Sequence, residues 1–318
     1  MSAAPAPAPR IQGELAYDAL RLGFFPWQRE QRLAKERERA NIARFSSRMI
    51  AAGTFNSLAL RRDGGIACWG WEDDVDGDFV AIAAGGFHSL ALRGDGRIAC
   101  WGSNTQGQAP PDGVDGDFVA IAAGDAHSLA VRRDGGFACW GDNDEGQAPP
   151  DGVDGDFVAI AAGDFHSLAV RRDGGVTCWG LNHRGQAPPD GVDGEFVAVA
   201  AREWRSLALR TDGTIACWGD NMHGQAPPTG VDGDFVAIAA GAFHSLALRR
   251  DGGVACWGDN DEGQAPPDGV DGDFVAIAAG HSHSLALRRD GGVTCWGNNF
   301  EGQAPPAGVA GPFKTQEL

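Results

Sequence analysis

From Ser47 onward the apolar and polar positions fall into short blocks, and the same order of blocks returns along the chain. One copy begins with Phe157-Val-Ala-Ile-Ala-Ala, an unbroken apolar run of the kind that forms a strand buried on both sides. After Gly163-Asp-Phe come His166-Ser-Leu-Ala-Val, Arg171-Arg-Asp-Gly-Gly and Val176-Thr-Cys-Trp. Asp-Gly between two apolar runs is a hairpin signal, because glycine supplies the positive φ of a tight turn. Pro188-Pro-Asp-Gly then ends the unit irregularly, since proline cannot donate into a sheet. Each unit is therefore predicted to hold three short strands and no helix.

The tryptophan of the third strand marks the period. It recurs as Trp69, Trp101, Trp140, Trp179, Trp218, Trp257 and Trp296, first at a spacing of 32 residues and then always at 39. A three-stranded sheet cannot cover both of its own faces, but seven stacked radially can. The Ala/Gly-rich first strand suits a crowded axis, and Trp on the third suits the diverging outer volume. The chain thus predicts an all-β fold, a seven-bladed β-propeller with mainly three-stranded blades. Gly308-Val-Ala-Gly-Pro-Phe313 aligns with the run that leads into a blade, yet no blade follows it. It should close the ring beside the first strand, near Ser47 to Ile50.

The repeating pattern is Ala-Ala-Gly-x-x-His-Ser-Leu-Ala-Leu-x-x-Asp-Gly-x-Val-x-x-Trp-Gly-x-Asn-x-x-Gly-Gln. It resembles the regulator-of-chromosome-condensation repeat in its short form, closely in six units and partly in the first, over about residues 47–313. The period is also similar to that of a propeller-type protein inhibitor of β-lactamases. Tryptophan-aspartate and kelch repeats fit less well, as no Trp-Asp dipeptide occurs and kelch units are longer. The resemblance implies a non-catalytic propeller that binds proteins. An enzyme inhibitor acting through its rim loops, or a nucleotide-exchange or chromatin adaptor, are the alternatives it implies.

Ahead of the repeats, residues 1–10 are a Pro/Ala tail and 11–46 a partly helical arm, with the propeller assigned to 47–318. Gln28 to Phe45 lacks internal Pro and Gly and is predicted to be helical, with a thin apolar stripe at Leu33, Ala40 and Ile42. Such an arm can pack on its own propeller and cover an edge. Phe24, Phe25 and Trp27, the densest aromatic cluster, are the candidate anchors by which it would instead dock the protein in a larger assembly.

Charge narrows the partner. The chain carries −17, but residues 1–48 are +4 and the remainder −21. An acidic surface disfavours nucleic acid, whose affinity rests on Lys and Arg, so the expected partner is protein. No apolar run reaches 18 residues and no secretory leader is read at the N-terminus. The seven cysteines fall one per unit at one strand position, which reads as free core thiols in a reducing, intracellular and most simply cytoplasmic compartment.

Variation among the units gathers in two loops that strand direction places on one rim. Their candidate protein-binding residues are Trp71, Phe87, Phe165, Trp204, Arg205, His223, Phe243 and Phe300. Trp204-Arg205 draws attention because it replaces the usual Phe-His, and Trp and Arg are enriched at interface hot spots. The first unit is seven residues short after Trp69, which should leave a notch. His88, His127, His166, His244 and His283 sit one per blade and cannot converge on a metal ion; they are expected to bond across to the neighbouring blade. The acids of Asp112-Gly-Val-Asp115-Gly-Asp117 lack calcium-loop spacing and should form a screened belt with the Arg-Arg-Asp-Gly hairpins. No catalytic constellation, cofactor motif or metal site is read from the chain.

Overall fold

The three predicted strands per unit appear in all seven copies. The computed structural model describes residues 26–315, in which helix α1 (Pro26–Met49) precedes twenty-one strands. The chain divides after Glu38, so the C-terminal turns of α1 share a unit with every strand. Blade one holds β1 (Ile50–Ala52), β2 (Asn56–Leu60) and β3 (Ile66–Gly70); blade four, typical of the rest, holds β10 (Phe157–Ala162), β11 (His166–Arg171) and β12 (Val176–Gly180). Each sheet has its strands in sequence order, all antiparallel. A bulge between Phe157 and Ala159 recurs in blades two to seven and shifts the register of the first strand against the second. The proline segment adds one bridge to the outer strand, as Val192 does to Val176.

The core lies one strand further out than the apolar pattern suggests. First strands such as β10 are only partly buried, whereas β11 and its equivalents are buried almost throughout. The middle strand has a hydrogen-bonded neighbour on each side and a blade against each face, while the first strand keeps one edge towards the axis. Leu168 and Ala169 and their copies are therefore inaccessible, and their small and branched side chains fill the space between sheets.

Blade one is assembled from two distant parts of the chain. Phe313 bridges Arg61 at the end of β2, the place that Phe157 takes opposite Arg171 in blade four. Arg62 N–H donates to the Pro312 carbonyl at 2.9 Å and Lys314 N–H to that of Leu60 at 2.9 Å. The closing segment was expected beside Ser47 to Ile50; it takes the equivalent place in the sheet, but its bonds run to β2. One apolar cluster combines Ile50, Leu58, Leu285, Leu287 and Phe313, so the seventh blade packs on the first.

Helix α1 extends beyond the expected Gln28–Phe45 and reaches Met49, so the strands begin at Ile50 rather than at 47. Pro26 suits a first helical position, where no intrahelical N–H is needed. From Arg39 on, the helix lies among the first strands and satisfies their free edges. Ser46 Oγ accepts the Ile277 N–H at 3.0 Å and faces its carbonyl at 3.5 Å, and Arg48 donates to the Val119 carbonyl at 2.9 Å. Arg39 donates to the Phe235 carbonyl at 2.9 Å and also reaches Thr211 and Asp234. Ala43 is buried against Val197 and Ile238, and a cavity of about 70 Å³ remains between it and the first strands. The expected edge-covering role therefore belongs to these turns.

Candidate loop-face interface

The two variable loops of each unit meet on one face because the strand after the first loop and the strand before the second are paired. The N–H after each third-strand glycine donates to the first loop: Trp71 to Phe55, Ser103 to Phe87, Leu181 to Phe165 and Asp220 to Trp204. Exposed aromatics stand on this frame. Trp71 is 60% accessible and stacks on Phe55, with centroids 4.2 Å apart and planes at 21°, and Phe87, 52% accessible, lies 6.3 Å from Phe55. Trp71 Nε1–H donates to Glu301 Oε2 of the seventh blade at 2.9 Å. Phe300 beside it is 85% accessible.

The remaining candidates lie on blades four to six. Trp204 is 38% accessible, with the Arg184 guanidinium 5.6 Å from its ring centre. Phe243 packs between His223 and His281, at 5.2 and 5.5 Å. Trp204, Met222, His223 and Phe243 share a pocket, but Phe165, half-buried, is not among its walls. Phe24 and Phe25 lie outside the described residues, and of Trp27 only the backbone, in the first turn of α1, is described.

Arg205 is not on the rim, which corrects the expectation drawn from its residue type. It is 1% accessible in β14 (Arg205–Arg210), at the position that His166 fills in β11. Its guanidinium donates to the carbonyls of Gly241, Ala242 and His244 in the next blade, and burial pulls it down to about 9. The change at Arg202 is coupled to it. A Cβ on Gly163 would lie 2.2 Å from the His166 ring, and Gly124, Gly241 and Gly280 are similarly confined by their histidines. Removing the histidine in blade five lifts that restriction, and Arg202 occupies the glycine position at the end of β13 (Phe196–Arg202). Arg202 donates to Thr54 Oγ1 of blade one at 2.9 Å, across the axis, and lies 3.7 Å from Asp164. Burial, with Asp164 nearby, pushes the Glu203 carboxyl up to about 7. This axial group was not foreseen; the loss of glycine at 202 was its signal.

The histidines bond across the blades as expected. His88, His127, His166, His244 and His283 place Nε2 at 2.8–2.9 Å from Oγ of Ser128, Ser167, Ser206, Ser284 and Ser57. Those hydroxyls donate to the carbonyls of Gln108, Gln147, Gln186, Gln264 and Gln303, so each accepts Nε2–H from a neutral ring. Burial holds the ring of His88 and of His166 down at about 4 and of His127 and His283 at about 3. The Gln carbonyl also accepts the next blade's indole, as from Trp140 to Gln108. The short first unit has no such glutamine. There Ser89 bonds Glu72, and the buried Trp101 nitrogen lacks a partner among the described residues.

The opposite face is the screened belt. Arg133, Arg172, Arg250 and Arg289 pair with Asp117, Asp156, Asp234 and Asp273, each acid lying just before a first strand. The seven cysteines are free, four buried and three half-buried, and burial raises their thiols to about 11–12. Among the described residues no helix is long and apolar enough to cross a membrane.

Five units, residues 79–108, 118–147, 157–186, 235–264 and 274–303, match the regulator of chromosome condensation (RCC1) repeat. No curated protein matches significantly. Among solved structures the chain is similar to yeast RCC1 (Prp20) bound to Kap60, at 22% identity over 73% of this chain and 75% of that one, with a TM-score of 0.62. It is also similar to the ectodomain of the receptor kinase ACR4 of Arabidopsis thaliana, at 22% identity over 82% and 98%, with a TM-score of 0.64. A further structure, of Saccharomyces cerevisiae Prp20p, a protein with binding properties to Gsp1p and histones, gives 20% identity over 74% and 81% and a TM-score of 0.59. These likenesses establish the propeller fold.

Proposed function

For a propeller built of regulator-of-chromosome-condensation repeats, we propose a non-catalytic protein-binding role exercised by the loop face. The observation that carries this reading is the exposure of Trp71, Phe87 and Phe300 on a frame that barely varies. Burying aromatic surface against a partner is favourable, and leaving it in water forgoes that gain. The recurrent histidines are engaged in bonds between blades, which leaves them unavailable for proton transfer and supports a non-enzymatic role. The acidity of the chain weighs against nucleic acid as the partner. Prp20p, similar in fold, binds Gsp1p and histones, and this chain is read as binding protein partners of its own. In this reading the arm ahead of Arg39, with Phe24, Phe25 and Trp27, joins the propeller to a larger assembly, and the free thiols suit a reducing, intracellular setting.

A photo-crosslinking residue tests the assignment of faces. Placed at Phe300 or Met222 in the full chain, it should yield discrete protein adducts in extracts of the source cells. Placed at Arg97, on the hairpin face, it should yield none. Equal adducts from both faces, or none from the loops, would overturn the reading.

A further inference from the structure

The loop face differs from one side of the ring to the other. Blades four and five present His183-Arg184 and Met222-His223, and blades three and six Asp144-Glu145 and Asp261-Glu262; blades seven and one set an aromatic beside the acid, as Phe300-Glu301 and Trp71-Glu72-Asp73. There aromatic rings and carboxylates alternate at short range. Trp71 bonds Glu301 and stacks on Phe55, and Phe87 continues the apolar surface onto blade two. Asp73, Asp261, Glu262 and Glu301 are exposed and form no ion pair among the described residues. On the hairpin face Asp117, Asp156, Asp234 and Asp273 do meet arginines of the same chain. Glu301 accepts the indole N–H but has no cationic partner among the described residues, and the indole itself is 60% accessible.

Resting on the protein-binding reading, we propose that the arc from blade six to blade two docks a protein segment in which arginine or lysine alternates with an aromatic or aliphatic anchor. The anchor would cover Phe87 and the edge of Phe55. A guanidinium over the Trp71 face would gain from the ring quadrupole and from Glu301 alongside, a combination stronger than either in water. An acidic or phosphorylated segment would meet like charge at Asp73, Glu301 and Glu262, and so would a membrane of anionic lipid. The shortened loop of the first unit is what admits the segment. The chain passes from Gly70 to the Val75 bridge directly, while its sister passes from Gly102 to Val114 through a full Gln-Ala-Pro-Pro loop.

Fluorescence anisotropy with the full chain and a labelled peptide of alternating arginine and phenylalanine tests this. Two control peptides of equal length alternate arginine with serine and glutamate with phenylalanine. The arginine–phenylalanine peptide should bind at least about tenfold more tightly than either control, and more weakly as salt rises. Trp71→Ala and the charge reversal Glu301→Lys should each weaken it by about tenfold, while Arg97→Gln on the hairpin face changes it less than about twofold. Thermal melts confirm that the exposed-site variants are folded. Equal binding of the arginine–serine peptide, or unchanged binding by both Trp71→Ala and Glu301→Lys, would mean unspecific attraction to an acidic protein and overturns the proposal. Adducts at Phe300 with no binding of the arginine–phenylalanine peptide would remove the partner chemistry alone; no loop adducts would remove the protein-binding reading itself.

Discussion

Blades one and five both depart from the repeat, and they depart in opposite directions. In blade five Arg202 and Arg205 turn inward and bond Thr54 and three carbonyls of the next blade. In blade one the shortened loop turns Trp71 outward, with only Phe55 beneath it and Glu301 beside it. The difference lies in whether a departure is compensated. Arg205 replaces a histidine and Arg202 replaces the glycine which that histidine required, so the two changes balance inside the ring. Trp71 has no balancing change, and Trp101 lacks the glutamine carbonyl that Trp140 and its four later copies use. A paired departure is a packing solution; an unpaired one is left at the surface.

Acid gives the largest expected effect, through the five units that kept the histidine. Their folded values lie below the ordinary 6.5, so the unfolded chain binds more protons once the pH falls beneath 6.5. Stability is complete above that pH and is lost as pH falls towards the folded values of about 3–4. At about 3 kcal/mol per ring, several rings together exceed the stability of an ordinary domain. Circular dichroism should therefore show the ring unfolding before pH 4 is reached. A flat melting temperature from pH 7 to 4 would show that the rings do not carry the interblade bonds.

Next in size is Arg205→Ala, which would leave three buried carbonyls unpaired and a cavity, at about 3–5 kcal/mol in urea unfolding. Arg202→Gly with Arg205→His rebuilds the sister pattern and should recover most of that loss. Arg205→His alone should recover less, because Arg202 occupies the space the ring needs. Additive effects of the two changes would break the coupling argument. Trp71→Ala should cost only about 1 kcal/mol, the worth of one exposed stack. Smallest is Phe300→Ser, expected within about 0.5 kcal/mol of the parent by the same measurement.

The repeat made the strands, the hairpins and the interblade histidines readable, because period and alternation encode which residues share a sheet. The depth of burial was less readable. The apolar run Phe157–Ala162 looks more buried than His166–Val170, yet the middle position in the sheet buries the second strand more. Trp204 and Arg205 are adjacent and of interface-prone type, but Trp204 stands in the turn while Arg205 opens β14, the buried middle strand of its sheet. Aligning Arg205 with His166, rather than judging it by type, would have placed it inside. Phe55 under Trp71 is a product of the seven missing residues, whose effect on the path of the chain no residue pattern states. The extension of α1 to Met49 follows from free strand edges, visible only once the sheets are assembled.

The two-part construction of blade one bears on how the ring comes together. Blades two to seven are each made from one continuous stretch and can form in order as they are synthesised. The sheet of blade one waits for Phe313, 251 residues after its partner Arg62. Bringing such remote segments together costs loop entropy that local hairpins do not, though this cost grows only slowly with length. Joining is therefore expected to be the slow, cooperative step of folding, after which opening the ring requires releasing both strands of contact at once. A circularly permuted chain, cut between two other blades and joined through the present ends, would move that step elsewhere and report directly on how much of the folding time it occupies.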